Sequence, residues 1–157
     1  MKKLFLWTLL FILSTAVKSQ VLLSPIDLIR ISKLTDNGTI TNILKTKGYE
    51  VGYGWEIEDG GKINNWLFQT RPGEFVDFTF RKVTWVSRKA ETLYWISNKY
   101  FYKEFMNNLR ASNFVFSDIR IIDNQCYFVF KKGKDSIFVI QKPGKTPDEA
   151  YFEIKIG

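Results

Sequence analysis

Leu44-Lys45-Thr46-Lys47-Gly48-Tyr49 and Leu109-Arg110-Ala111-Ser112-Asn113-Phe114 are two versions of one six-residue pattern. In each, a leucine stands five positions before an aromatic residue, and glycine or asparagine immediately precedes that aromatic. Glycine and asparagine are the residue types that best tolerate the left-handed backbone just past a helix. The aromatic can then fold back on the leucine, as a Schellman stop requires. The two segments therefore predict the ends of two helices, each handing the chain to a strand.

Working outward, apolar residues alternate after the first stop at Tyr49, Val51, Tyr53, Trp55 and Ile57, which predicts one strand with all five on one face. Asp59-Gly60-Gly61-Lys62 reads as a tight turn. A second strand follows over Trp66–Gln69, a turn at Arg71-Pro72-Gly73-Glu74, a long third strand from Phe75 to about Ser87, and a fourth over Leu93–Ile96. The second stop ends a helix read from Lys99 to Ser112, whose Phe101, Phe105 and Leu109 recur along one stripe. Strands are expected after it near 114–122, 126–132, 136–142 and 150–156. Their turns are Asp123-Asn124-Gln125, Lys132-Gly133-Lys134 and a longer loop from Pro143 to Asp148.

Strands joined by short turns pair antiparallel, and an amphipathic helix before each set covers one face of it. The expected class is α+β: two tandem helix-plus-four-strand units, 20–97 and 98–157, forming one sheet-rich domain by internal duplication. An extra helix precedes them, where Ser24-Pro25-Ile26-Asp27 carries the cap serine, the first-turn proline and the reciprocating aspartate of a start signal. Its Ile26 and Ile29 are expected to face the first unit.

Residues 1–19 read as an export signal: Lys2 and Lys3, an apolar run from Leu4 to Leu13, then Val17-Lys18-Ser19 before Gln20. That run is too short to span a bilayer. Cleavage after Ser19 would leave about 138 of the 157 residues and lower the formal net charge from +7 to +4 by removing Lys2, Lys3 and Lys18. A periplasmic or secreted location follows as an expectation, with no transmembrane span after cleavage. Charge this modest, without basic blocks, argues against nucleic acid as a partner. One cysteine, Cys126, closes no intramolecular disulfide and is placed wrongly for lipid attachment; alternating with Phe128 and Phe130, it reads as a small buried strand residue. Stability must then come from apolar burial, and a 17% aromatic content supplies it.

The export signal ending in Ser19-Gln20, Asp27-Leu28-Ile29, the Lys47-Gly48-Tyr49 stop and the Leu109-to-Phe114 stop before a Lys131-Lys132-Gly133 turn together resemble uncharacterised secreted proteins of the Bacteroidota. The resemblance implies an envelope or secreted location and carries no catalytic residue. In outline the two-unit layout is also similar to the β-lactamase inhibitory protein and to PepSY-like periplasmic domains, a similarity of architecture only.

Histidine is absent from the chain, which removes Ser-His-Asp and Cys-His nucleophile activation and the usual zinc sites. No cofactor or metal is expected. Gly144-Lys145-Thr146 resembles the end of a phosphate loop, but Val139 stands where that loop needs glycine. Glu56 and Glu58 share a strand face at a spacing that superficially suits paired glycosidase carboxylates; their place at a hairpin end predicts solvated surface instead. Asp77 reads with Thr79 and Arg81 as an outward polar row. Asn37-Gly38-Thr39, formally a glycosylation sequon, reads as the start of the second helix.

Trp55, Trp66, Trp85 and Trp95 all fall on expected strands. Most such rings belong to a core, but two or more on an uncovered sheet face would form a binding surface. The leading expectation is a non-catalytic binding or inhibitory module that holds a protein or peptide partner through its sheet. The alternative is an envelope- or glycan-binding protein that uses exposed tryptophans and the basic turn of Lys131, Lys132 and Lys134. A carboxylate-dependent hydrolase comes last.

Overall fold

The Ser24 hydroxyl accepts the Asp27 N–H while the Asp27 carboxylate accepts the Ser24 N–H, so helix α1 (Pro25–Ser32) opens with the reciprocal cap read from the sequence. This is a computed structural model of the chain, and it describes residues 22–58, 60–70, 76–86, 88–144 and 150–157. Residues 1–19, read above as an export signal, the turn expected at 71–74 and most of the loop expected at 143–148 lie outside the described residues. Helix α1 buries Pro25, Leu28, Ile29 and Ile31. Ile26, expected on the same stripe as Ile29, is 53% exposed; at about 100° per residue it falls beyond the edge of that buried arc.

Helix α2 (Asn37–Thr46) begins at the Asn37-Gly38-Thr39 triplet, with the Asp36 carboxylate accepting the Gly38 and Thr39 N–H groups. Helix α3 (Lys99–Ala111) is capped by Asn98 and buries Phe105 and Leu109. Both helix stops form as read. Gly48 and Asn113 adopt φ of 86° and 62°. The Tyr49 N–H donates to the Leu44 carbonyl at 3.0 Å, and that of Phe114 to Leu109 at 3.1 Å. Both aromatic rings are buried, so each stop also anchors its helix to the core.

Among the described residues nine strands form one open sheet: β1 (Glu50–Val51), β2 (Trp55–Ile57), β3 (Gly61–Phe68), β4 (Phe78–Thr84), β5 (Glu91–Ile96), β6 (Val115–Ile122), β7 (Gln125–Lys132), β8 (Asp135–Lys142) and β9 (Tyr151–Ile156). Every pairing is antiparallel. The order is β1-β3-β4-β5-β9-β8-β7-β6, with β2 also on β3. Helices and antiparallel sheet make the class α+β.

The single strand expected over Tyr49–Ile57 is instead two short pieces, because the chain passes very close to β3 at two glycines. A Cβ on Gly54 would come 2.7 Å from the Ile63 carbonyl oxygen, and one on Gly52 would lie 3.0 Å from Leu67. Between them the Asn65 side-chain amide donates to the Tyr53 carbonyl in place of a ladder bond. The five apolar residues therefore do not share a buried face: Tyr49 is in the core, whereas Val51, Tyr53 and Trp55 are exposed.

The main core lies between the helices and one face of the sheet. Trp66, Phe80, Tyr94, Ile154 and Val139 face one another across β3, β4, β5, β9 and β8, and all are buried. Burying large rings side by side supplies the stability that one unpaired cysteine cannot. Cys126 itself is exposed, contrary to the reading from its alternation with Phe128 and Phe130. It lies on β7 opposite Ile121 of the edge strand β6, and Ile121 and Phe128 beside it are also open to solvent.

Candidate functional site

Alternation along β3, β4, β5 and β9 sends the neighbours of the core residues to the other face, which no helix covers. Leu67, Thr79, Trp95 and Glu153 form one row there, and Asn65 faces Arg81 in the next. β2 pairs with the first part of β3 and sets Trp55 opposite Ile63, on the same face of the sheet. The result is a groove of about 450 Å³ lined by Tyr53, Trp55, Asn65, Leu67, Arg81, Trp95 and Glu153, with Thr79 and Tyr151 completing its wall.

Arg81 is the centre of the groove. Its guanidinium carbon stands 5.1 Å from the Trp55 ring centroid and 4.5 Å from that of Trp95, within the range of cation–π attraction. Its Nε donates to Asn65 Oδ1 at 2.7 Å. Burial among the rings lowers the Arg81 pKa from its ordinary value, and the Glu153 carboxylate opposes that shift. Glu153 is itself held by three partners: Trp95 Nε1 donates to it at 2.9 Å, the Tyr127 hydroxyl at 2.8 Å, and the Lys142 ammonium lies 3.9 Å away. Tyr127 is buried, and desolvation together with that carboxylate raises its pKa well above the usual phenol range. A cation and an anion are thus fixed at the groove by partners that restrict their rotamers, the cation against the Trp55 and Trp95 rings and the anion by hydrogen bonds.

The four tryptophans separate. Trp55 is 45% exposed and Trp95 half-buried, both on the groove. Trp66 is buried in the core, where its Nε1 donates to Thr41. Trp85 lies beyond the end of β4, half-buried, with the Arg88 guanidinium carbon 3.4 Å from its ring centroid. Lys132 and Lys134 are exposed at the β7–β8 turn and Lys131 is half-buried beside it; none of the three lines the groove. Glu56 and Glu58 are both exposed. Asp77, half-buried just before β4, accepts the Thr70 N–H and hydroxyl with its carboxylate and so ties the chain on either side of residues 71–74.

The reading of the sequence missed Arg81 and Glu153 as a pair. Their outward phase was legible beside Phe80 and Ile154, but their juxtaposition depends on β9 pairing with β5, which no local pattern announces. Among the described residues no group of three or more histidine, cysteine, aspartate or glutamate side chains could hold a metal, and no helix is long and apolar enough to cross a membrane. Comparison with protein families, curated proteins and solved structures finds no match to this chain.

Proposed function

We propose that the protein is an exported, non-catalytic binding module, built from two tandem helix-plus-sheet units, that holds an extended peptide segment of a partner protein on its open sheet face. The observation that carries this reading is the stacking of Arg81 between Trp55 and Trp95. Stacking orders the guanidinium in advance, so little rotamer freedom remains to be lost on binding. Among the described residues only its Nε is hydrogen-bonded, which leaves its terminal N–H groups as donors for a carboxylate or main-chain carbonyl. The exposed faces of Tyr53 and Trp55 would take an apolar or aromatic side chain beside that contact.

The test is a tryptophan-fluorescence titration with two panels of ligands: acidic peptides containing aromatic residues, and neutral and acidic oligosaccharides. Saturable peptide binding that weakens at least ~tenfold in Arg81→Ala and Trp55→Ala is the expected result. Binding confined to the oligosaccharides would replace the peptide by a glycan on the same rings. Binding by neither panel, or binding indifferent to both substitutions, would overturn the assignment.

A further inference from the structure

The core does not extend under the whole sheet. The principal helix–sheet contacts are to β1, β5 and β9, and not to the hairpin of β6 and β7 that ends the sheet order. Residues directly opposite in antiparallel strands share a face, and register carries the helix side from Val139 to Phe128 to Ile119. Ile121 and Cys126 continue that face. Ile119, Ile121 and Phe128 are 57%, 74% and 51% exposed, and Phe116 at the start of β6 is 52% exposed. Phe116 and Phe128 also line a shallow hollow of about 570 Å³ with Phe114 and Phe130. An apolar face of this kind next to an unpaired strand edge invites another strand.

The edge strand indicates which one. On the opposite face of β6, Asp118 and Arg120 flank Ile119 symmetrically. In a two-fold antiparallel pairing of β6 with a second β6, facing residues must lie on the same side of the sheet, which leaves three central registers. Centring on Asp118 sets aspartate against aspartate, and centring on Arg120 sets arginine against arginine. Centring on Ile119 sets each Asp118 against the Arg120 of the second copy and each Ile119 against its equivalent. Like charges directly opposite are unfavourable and opposite charges favourable, so only the last register is complementary. Asp118 and Arg120 already pair within one chain at 3.3 Å through Asp118 Oδ2, with both side chains partly open to solvent. A second copy would add one such pair on each side of the two-fold axis.

We propose that the chain self-associates as a two-fold dimer through β6, antiparallel about Ile119, joining the two sheets into one and bringing the two bare apolar faces side by side. The interface lies at the far end of the sheet order from β3, so it leaves the groove of Trp55, Arg81 and Trp95 open.

The chain from Gln20 onward, which contains every element described above, is examined by sedimentation equilibrium. A dimer is expected. Asp118→Arg and Arg120→Asp each set like charges opposite each other twice and should raise the dissociation constant about tenfold. The double exchange restores complementarity and should restore the dimer. Ile119→Lys should give a monomer with the parent's circular dichroism that still melts cooperatively, now independently of protein concentration, because the residue is exposed in the single chain. A monomeric parent protein would overturn the proposal, as would a dimer insensitive to Ile119→Lys or a double exchange no better than its single components.

Discussion

The phenolic oxygens of Tyr49 and Tyr94 lie 2.9 Å apart inside the core, joining the stop of α2 to the middle of β5. Tyr94 also accepts the N–H of Leu23 at 3.3 Å. Removing its hydroxyl therefore disturbs two buried partners, whereas removing that of Tyr49 leaves the Leu23 contact in place. Tyr94→Phe is expected to cost about 1–3 kcal/mol and Tyr49→Phe about 1 kcal/mol, as measured by urea denaturation. Equal losses would mean that the Leu23 contact contributes nothing.

The same pair sets the alkaline limit of the fold. Desolvation raises both phenol pKa values above the ordinary 10.0, and the two hydroxyls reinforce this for Tyr49. A group whose folded pKa is raised contributes stability that is present below its unfolded pKa and is lost as pH rises through the folded value. Stability should therefore decline from about pH 10 upward. Tyrosinate absorbance from these residues should appear together with loss of ellipticity, and full ionisation of all tyrosines in a chain of unchanged ellipticity would refute this.

Asp27 works in the opposite sense. Burial pulls its pKa up, but hydrogen bonds from Ser24 and Lys47 and the Lys47 charge outweigh burial and hold the carboxyl below its usual value. A depressed carboxyl contributes stability present above its unfolded pKa and lost as pH falls through the folded one. Asp27→Asn should cost about 1 kcal/mol at neutral pH. The gap from the parent protein should close below about pH 4; a gap independent of pH would show that the charge is not involved.

Lys82 is buried, and its ammonium donates to the Ser32 and Leu34 carbonyls at the end of α1. Lys82→Met keeps the aliphatic stem but leaves those two acceptors unpaired. A loss of about 1–3 kcal/mol is expected in the urea midpoint. A neutral or stabilising outcome would show that water reaches the carbonyls once the ammonium is gone.

Two glycines give a matched comparison. Gly54→Ala places a methyl 2.7 Å from the Ile63 carbonyl oxygen, so β2 must lift from β3 and carry Trp55 away from Arg81. Gly133→Ala meets no atom within 4 Å and bears only the strain of its φ of +59°, about 1 kcal/mol. The first should reduce both stability and ligand binding in the groove, the second stability alone.

Much of this fold is legible in short stretches of sequence because its punctuation is local. Gly48 and Asn113 end helices where they stand, Ser24 and Asp27 start one, and β7, β8 and β9 follow plain alternation. The failures share a cause: alternation identifies an apolar face without saying what covers it. Cys126 and Phe128 alternate as core residues do, but the helices sit over other strands. Val51, Tyr53 and Trp55 alternate too, and the close approach of Gly52 and Gly54 to β3 turns them outward. The groove was half legible, since the tryptophans drew attention by residue type while Arg81 and Glu153 acquire meaning only through the β5–β9 pairing.

That pairing also orders events in time. β9 is the last strand in the chain, but it sits in the interior of the sheet between β5 and β8. During synthesis β5 has no neighbour on that side until β6, β7, β8 and β9 have all been made. Its partner is remote in sequence, so closing the sheet requires a long loop to be ordered before the contacts that reward it. A chain that cannot complete its sheet early stays threadable, a useful property if it must cross a membrane before it folds.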